Sequence, residues 1–543
     1  MTNRQAIVAA ALVLIQLLPF TYSDIKSSDG SFNAHHRDQL LTTTDEKLQQ
    51  QQQQEQQQRT IRIAVIGGGV GGTAAAYFLN ELLSKQQQSD LRHEITIYEK
   101  NYRLGGRLHT VNVDNNHYEA GGSIIHERNK YAADLMAKFG LKRRALRSDD
   151  RLCIYNGERF VFCESSWDIV TLIRLLRYYG LDLIRLQKQV TKVIDHFERI
   201  YRLQSEQHAY DQVSDLLTAM DSLIYNLTRT SYKHMLDSEY KLSEQFISQI
   251  VQSISLVNYG QTISIPALVG MVSFAGAGSQ LYAIEGGNKL LPLHLAHFSQ
   301  ARMMLNTKVV SINYMGDHRF RIDSKRLDGV VVNNNNHSVQ SDIYDHVIIA
   351  TPLASQTNSI QFNNLTKRNE LINDIFDKYH MHRTVATFVK GQVLNKYKDL
   401  SILSCDIGRG GSFFTSLSKL MPVQNRIKPV NSEAAGKQQS VYKVFSNRQL
   451  DPHELYGLFE QIDDIQQINW FAYPDYRSVG QPLPPFRLRA GVYYLNAIEW
   501  AASAIEMSLI GAKNVALLVC HELNVCHAVK GNLTSRRRNR VEL

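Results

Sequence analysis

Residues 61–66 read Ile-Arg-Ile-Ala-Val-Ile, an apolar run interrupted only by Arg62. Such a run predicts a parallel strand buried on both faces. A glycine-rich turn follows, then an alanine-rich stretch that predicts a helix, then a second strand over 94–98. The polar stretch 84–90 between them reads as an extended loop. From 129 to 292 the spacing becomes helical: Ile169, Leu172, Ile173 and Leu176 form one stripe, and Leu183, Leu186 and Val190 form another. Both stripes are expected to bury their faces against one another. Apolar strand runs return at 303–312 and at 345–351, the second bounded by Pro352. Near the end, 491–499 leads through small residues at 501–504 into an apolar helix reaching Leu518. Strands and helices in this order predict an α/β fold, with a nucleotide-type domain interrupted by a largely helical α+β insertion.

The ends read differently. Arg4, an apolar run over 6–18 and small residues at Thr21 and Ser23 make a secretory signal pattern over 1–23. That run is too short to span a bilayer. Residues 24–59, ending in a glutamine tract, are expected to be a disordered leader, and 529–543 a basic tail. Between them the expected division is 60–128, 293–355 and 486–528 for the nucleotide domain, with 129–292 and 356–485 forming the substrate domain.

Composition narrows the chemistry. At 543 residues and 43% hydrophobic, the chain is long enough for more than one core. The net charge is +9, from 60 basic and 51 acidic residues, but four of the arginines stand at 536, 537, 538 and 540. The body is therefore only mildly basic, and without a basic stripe interleaved with aromatics no nucleic acid is expected as a partner. Five cysteines are too few for a disulfide scaffold. Cys153 with Cys163 and Cys520 with Cys526 could each be bridges or free buried thiols, and the odd number leaves at least one unpaired. No Cys or His pairs at ligand spacing predict a metal. Sequons at Asn226, Asn336, Asn364 and Asn532 agree with the secretory route, and two or more are expected to carry glycan.

The first chemical signal is Gly67, Gly69 and Gly72, a G-x-G-x-x-G turn between strand and helix. Glycines there allow a tight turn and close approach of a diphosphate, while the helix N-terminus faces the anion. Glu99, closing the second strand, stands where a ribose needs a hydrogen-bond acceptor, 27 residues beyond Gly72 rather than the usual ~20. An acid at that position disfavours the ribose phosphate of NADP.

The next words are Arg103-Leu104-Gly105-Gly106-Arg107 and Glu119-Ala120-Gly121-Gly122-Ser123. In this order they resemble the Rossmann-type FAD-binding half of the flavin amine oxidase and phytoene desaturase superfamily. The resemblance implies FAD, with Arg107 beside the diphosphate and Gly121, Gly122 and Ser123 near the flavin. It also implies Val309 as the residue whose backbone brackets the adenine, and a closing helix aimed at the flavin, with Glu499 in its motif. Candidates at the substrate end are His126 and Lys289, each with a bland structural alternative. The absence of a cysteine in the closing motif implies a non-covalent flavin.

Longer strings narrow the likeness. YEAGGSIIH at 118–126, YNGERFVF at 155–162, VNYGQ at 257–261, YAIEGGNKLL at 282–291 and YYLNAIEWAASAIEMS at 493–508 resemble the prenylcysteine oxidase family, also called prenylcysteine lyase. The resemblance covers roughly 61–523. It implies an FAD-dependent thioether oxidase of the lysosome, also secreted in one reading, that converts farnesyl- or geranylgeranyl-cysteine to cysteine, isoprenoid aldehyde and hydrogen peroxide with oxygen as acceptor. Hydride transfer needs no Ser-His-Asp or paired-carboxylate set, and no catalytic side chain is assigned. The alternatives are an amine oxidase-like flavoenzyme and a secreted lipid-binding protein that has lost its flavin. A peripheral membrane or lipid association of the helical region is compatible with the enzyme reading.

Overall fold

The computed structural model describes residues 60–85, 92–146, 149–278, 280–327, 339–365, 376–408, 410–424 and 439–527. The expected signal peptide, leader and basic tail, with Asn336 and Asn532, lie outside them.

The first strand, β1 (Thr60–Ile66), has Ile63, Ala64 and Val65 wholly buried. It sits at the centre of a six-stranded sheet with β2 (Arg92–Tyr98), β3 (Arg302–Met304), β4 (His346–Ile349), β5 (Arg487–Arg489) and β6 (Val492–Tyr494) in the order β3-β2-β1-β4-β6-β5. All neighbours are parallel except β5 with β6. Three separated stretches of chain thus build one nucleotide-type sheet. Helix α1 (Val70–Ser84) leaves the glycine turn and packs against the closing helix (Ile505–Glu522), with the Lys513 ammonium 4.9 Å from the centre of the Phe78 ring.

One expectation about this region changes. The run 303–312 is not one strand: it divides at Asn306, whose φ of 49° turns the chain out of the first sheet. Beyond the turn Thr307–Gly316 joins a separate four-stranded sheet with Arg319–Arg326, Gln340–Tyr344 and Gln361–Asn363. Within 129–292, strands stand beside the helices. Arg151–Tyr155 and Phe160–Cys163 close one side of a seven-stranded sheet whose longest strands, Phe459–Pro474 at the opposite edge and Met381–Val393 beside it, lie on the other side. Arg151–Tyr155 pairs in parallel with Leu400–Ser404, some 250 positions away, so the two parts of the substrate domain form one layer.

Helix Gln252–Tyr259 packs on that layer, α2 (Asp168–Tyr179) meets it through Tyr179, 5.7 Å from the Phe162 ring centre, and α3 (Asp182–Phe197) packs among the other helices. In α3 the stripe Leu183, Leu186, Val190 and Val193 is buried as its spacing predicts. In α2 it is not. Ile169 is 60% exposed, Ile173 57% and Leu176 40%, while Thr171, Leu175 and Tyr179 face inward. The neighbours lie on the Thr171 side, so the helix is rotated away from its most apolar face.

Disulfides join Cys153 to Cys163 across the hairpin they flank and Cys520 to Cys526 at the end of the closing helix, leaving Cys405 as a buried free thiol. Among the described residues no helix is long and apolar enough to cross a membrane, and no group of three His, Cys, Asp or Glu could hold a metal ion.

Candidate functional site: a nucleotide cradle opening into an apolar arm

The glycine turn is made by contacts that only glycine permits. Gly67 has φ +113°, and a Cβ there would lie 2.6 Å from the Ala350 carbonyl oxygen. A Cβ on Gly72 would stand 1.9 Å from the Gly67 carbonyl oxygen, so this glycine brings helix and turn together. Nothing lies within 4 Å of a Cβ built on Gly69, the N-cap of α1, so the helix N-terminus faces open space. Anions favour such an end, where unpaired N–H groups point outward. Glu99, buried at the end of β2, accepts from the Gly68 N–H at 2.8 Å and from Asn101 Nδ2 at 2.6 Å, so its carboxylate is anchored beside the turn.

Arg107 and Glu499 both reach this cavity and are ion-paired to each other. Arg107 also donates to the Ala472 carbonyl at 2.7 Å, and Asn496 Nδ2 donates to Glu499 at 2.9 Å. Burial opposes the Arg107 charge, but Glu499 outweighs it and holds the guanidinium above its ordinary range. Gly121, Gly122 and Ser123 line the same wall.

Four of the five family-like strings brace this wall. Asn288, fully buried after the Gly286-Gly287 turn, donates its N–H to Glu119 at 2.6 Å and its Nδ2 to the Gly122 carbonyl at 2.9 Å. Tyr259 donates to the Ser503 carbonyl at 2.9 Å, just before the closing helix. Gln261 accepts from the Tyr476 N–H, and the Tyr476 hydroxyl donates to the Glu499 carbonyl at 2.7 Å.

The expected substrate-end residues fare unequally. His126 lines the cavity, where its Nδ1 accepts from the Arg128 N–H at 3.1 Å and burial lowers its pKa. Lys289 does not line it: the glycine turn aims its ammonium at Thr110 Oγ1, 2.8 Å away, a structural contact. Val309 is likewise off the wall, its side chain in the core beyond the Asn306 turn. Nearer the site is Thr307, whose N–H donates to the Glu99 carbonyl at 2.9 Å. Of the sequons, Asn226 and Asn364 are exposed.

Two charged groups on the wall were missed. Lys443, only 6% exposed, lies on a strand of the seven-stranded sheet, its ammonium 4.6 Å from the centre of the Phe445 ring and 3.4 Å from the Glu119 carbonyl. Burial pushes it down to about 8, against the attraction of Glu119. A lone lysine inside the apolar word Val441-Tyr-Lys-Val-Phe445 was the available signal. Glu506, 3% exposed in the first turn of the closing helix, accepts from the Tyr131 and Ala132 N–H groups at 2.7 and 3.0 Å and from the Tyr201 hydroxyl at 2.8 Å. Burial pushes its carboxyl up to about 7, although all three donors favour the ionised form.

The cavity measures about 1220 Å³, beyond the ~300–1,000 Å³ of an ordinary small-molecule site. From the nucleotide cradle it runs past Glu499 and the closing-helix N-terminus into an arm walled by Leu175, Leu183, Val190, Phe246, Ile250 and Met271. In its wall Thr384 Oγ1 and Asn496 Oδ1 are buried without a hydrogen-bond partner, the kind of orphaned atom a bound group satisfies. The open helix N-terminus, the anchored Glu99 and the glycine wall fit FAD. Among the described residues no cysteine lines the cavity.

Sheet order, glycine turn and closing helix define an FAD-dependent oxidoreductase of the amine oxidase-like fold. Cyclohexylamine oxidase from Brevibacterium oxydans aligns with a TM-score of 0.55 at 14% identity, over 86% of this chain and 99% of that one. A CLA-producing fatty acid isomerase from P. acnes gives 0.55 at 15%, over 84% and 97%. These likenesses are of fold. A model of an NAD(P)-binding Rossmann-like domain matches residues 65–139. The chain belongs to the prenylcysteine lyase family, whose model matches residues 162–529. It is 35% identical to human prenylcysteine oxidase 1, over 79% of this chain and 84% of that protein. It is also 34% identical to mouse prenylcysteine oxidase 1-like, over 80% and 86%.

Proposed function

We propose that the protein is an FAD-dependent thioether oxidase that cleaves farnesyl- or geranylgeranyl-cysteine to cysteine, the isoprenoid aldehyde and hydrogen peroxide. Oxygen is the acceptor, the enzyme works in the lysosome after entering the secretory pathway, and it meets its lipid substrate at a membrane surface. The observation that carries the chemical reading is the single cavity that joins the nucleotide cradle to a long apolar arm. An isoprenoid chain fits that arm by the hydrophobic effect alone, and the orientation it imposes puts the thioether at the cofactor end.

Bound FAD supplies a two-electron acceptor for the carbon next to sulfur. With it bound, the net reaction would convert thioether, water and oxygen to thiol, aldehyde and hydrogen peroxide, the carbon–sulfur bond breaking as the carbon is oxidised by two electrons. The chain's own part is to bind and orient. The arm excludes water from the isoprenoid, while Lys443, Thr384 and Asn496 offer polar contacts where the arm meets the cradle. The closing-helix N-terminus turns its positive end toward the site, which favours added negative charge there.

The test is anaerobic mixing of the purified, glycosylated protein with farnesylcysteine while the visible flavin band is followed. Bleaching, then recovery in air with peroxide and free cysteine, is the expected result. A yellow protein that bleaches with amines instead would replace the substrate class. A colourless protein that binds prenylcysteine without turnover would make it a lipid-binding relative of the oxidases.

A further inference from the structure

Helix α2 presents its most apolar face to solvent. Ile169, Ile173 and Leu176 stand at i, i+4 and i+7, one stripe of a helix surface, and Trp167 just before the helix is 71% exposed. Isolated exposed apolar residues need no explanation, but a contiguous patch marks a surface that meets something. Two further observations say what. Leu176 belongs both to this stripe and to the cavity wall, as do its neighbours Leu172 and Gly180 to the wall, so the patch forms the lip of the apolar arm. The surrounding charge is basic: residues 167–192 carry Arg174, Arg177, Arg185, Lys188 and Lys192 against Asp168 and Asp182, and Asp182 is already paired with Arg185. Arg174 and Arg177 are exposed and flank the stripe on its own helix.

We propose that α2 is a membrane-docking helix that seats Trp167, Ile169 and Ile173 in the interface of a bilayer bearing anionic headgroups, with Arg174 and Arg177 at headgroup level and the lip at Leu176 opening into the acyl region. An apolar face edged by arginines, with tryptophan at its end, is the composition of a helix lying in the interface plane. The arrangement gives an isoprenoid a route from lipid to the cavity that never crosses water. It deepens the proposed function by naming the membrane surface, but its binding step involves neither flavin nor substrate.

The test is co-sedimentation of the flavin-loaded, glycosylated protein with vesicles of phosphatidylcholine alone and of phosphatidylcholine with 30% phosphatidylserine, at about 0.1 M salt, where the Debye length is ~10 Å. Binding is expected to the anionic vesicles, with a blue shift of tryptophan emission from Trp167, and to weaken at 0.5 M salt. The triple variant Trp167→Ala, Ile169→Ser, Ile173→Ser is expected to lose at least tenfold in vesicle affinity. None of its three positions lines the cavity, so its flavin content and its turnover of prenylcysteine in free solution stay at the wild-type level. The pair Arg174→Glu, Arg177→Glu, which leaves the apolar face intact, should remove the preference for anionic vesicles. Wild-type protein that ignores both vesicle types, or a triple variant that binds as well as wild type, overturns the proposal. So does light scattering that shows a dimer dissolved by the triple variant, which would assign the face to a second copy of the chain. Failure of turnover with intact vesicle binding would instead count against the thioether reading alone.

Discussion

Helices α2 and α3 are neighbours with nearly the same apolar spacing and opposite fates. In α3 the stripe packs into the helical layer; in α2 the equivalent stripe faces solvent at the lip of the cavity. Periodicity reports that a face will be removed from water, but not by what. The same lesson separates the two walls of the site. The nucleotide wall is made of backbone at glycines, where a side chain at Gly67 or Gly72 collides, whereas the far arm is made of side chains that can be exchanged for others of similar volume.

The sharpest way to break the contrast between walls is Gly72→Val. With a Cβ placed 1.9 Å from the Gly67 carbonyl, α1 must move off the turn, and flavin per mole of purified protein should fall at least about tenfold, the ~1–3 kcal/mol of an overpacked site. Full flavin content would show that the diphosphate is not cradled there. Leu186→Ala comes next: this wholly buried α3 residue should cost about 2–5 kcal/mol in a denaturant melt.

Two titrations sharpen the picture at the junction. The Glu506 carboxyl, raised to about 7, is protonated in the folded protein at pH values where the unfolded chain has lost its proton. Its contribution to stability is therefore complete below the ordinary carboxylate range and lost as pH rises through about 7. Wild type should melt a few degrees lower at pH 8 than at pH 5 on this account, and Glu506→Gln should flatten that slope. Lys443 runs the other way, because its lowered value makes the unfolded chain bind more protons between pH 8 and the ordinary lysine range. Lys443→Met should raise the melting temperature at pH 7, by less at pH 10, while lowering turnover of prenylcysteine with flavin content unchanged. The smallest effect belongs to Ile173→Ala in α2, within about 0.5 kcal/mol of wild type; a loss equal to that of Leu186→Ala would mean the face is covered.

Much of the nucleotide half was legible because its chemistry is local. Gly67, Gly69 and Gly72 must sit at fixed offsets between a strand and a helix, and Glu99 must end the next strand, so spacing alone exposes them. Lys289 stayed open between a substrate contact and a structural one because it stands beside the right glycine turn; the turn sends Lys289 to Thr110 and sets Asn288 behind the Gly122 wall, and which way each neighbour points depends on a positive-φ geometry that composition does not display. Lys443 and Glu506 were hidden among apolar neighbours that read as plain strand and plain helix. The disulfides stayed open in the sequence because equal spacing suits bridged and free thiols alike.

What short-range order decided, then, is the strand–glycine–helix cradle, the acid that ends β2, the apolar closing helix and the α/β class, each legible in patterns that span about thirty residues or fewer. What waited for the assembled molecule is the division of 303–312 between two sheets, the pairing of Arg151–Tyr155 with Leu400–Ser404, the Arg107–Glu499 ion pair and the outward turn of α2. These join residues tens to hundreds of positions apart, and which partner wins is an energy of the whole packed arrangement.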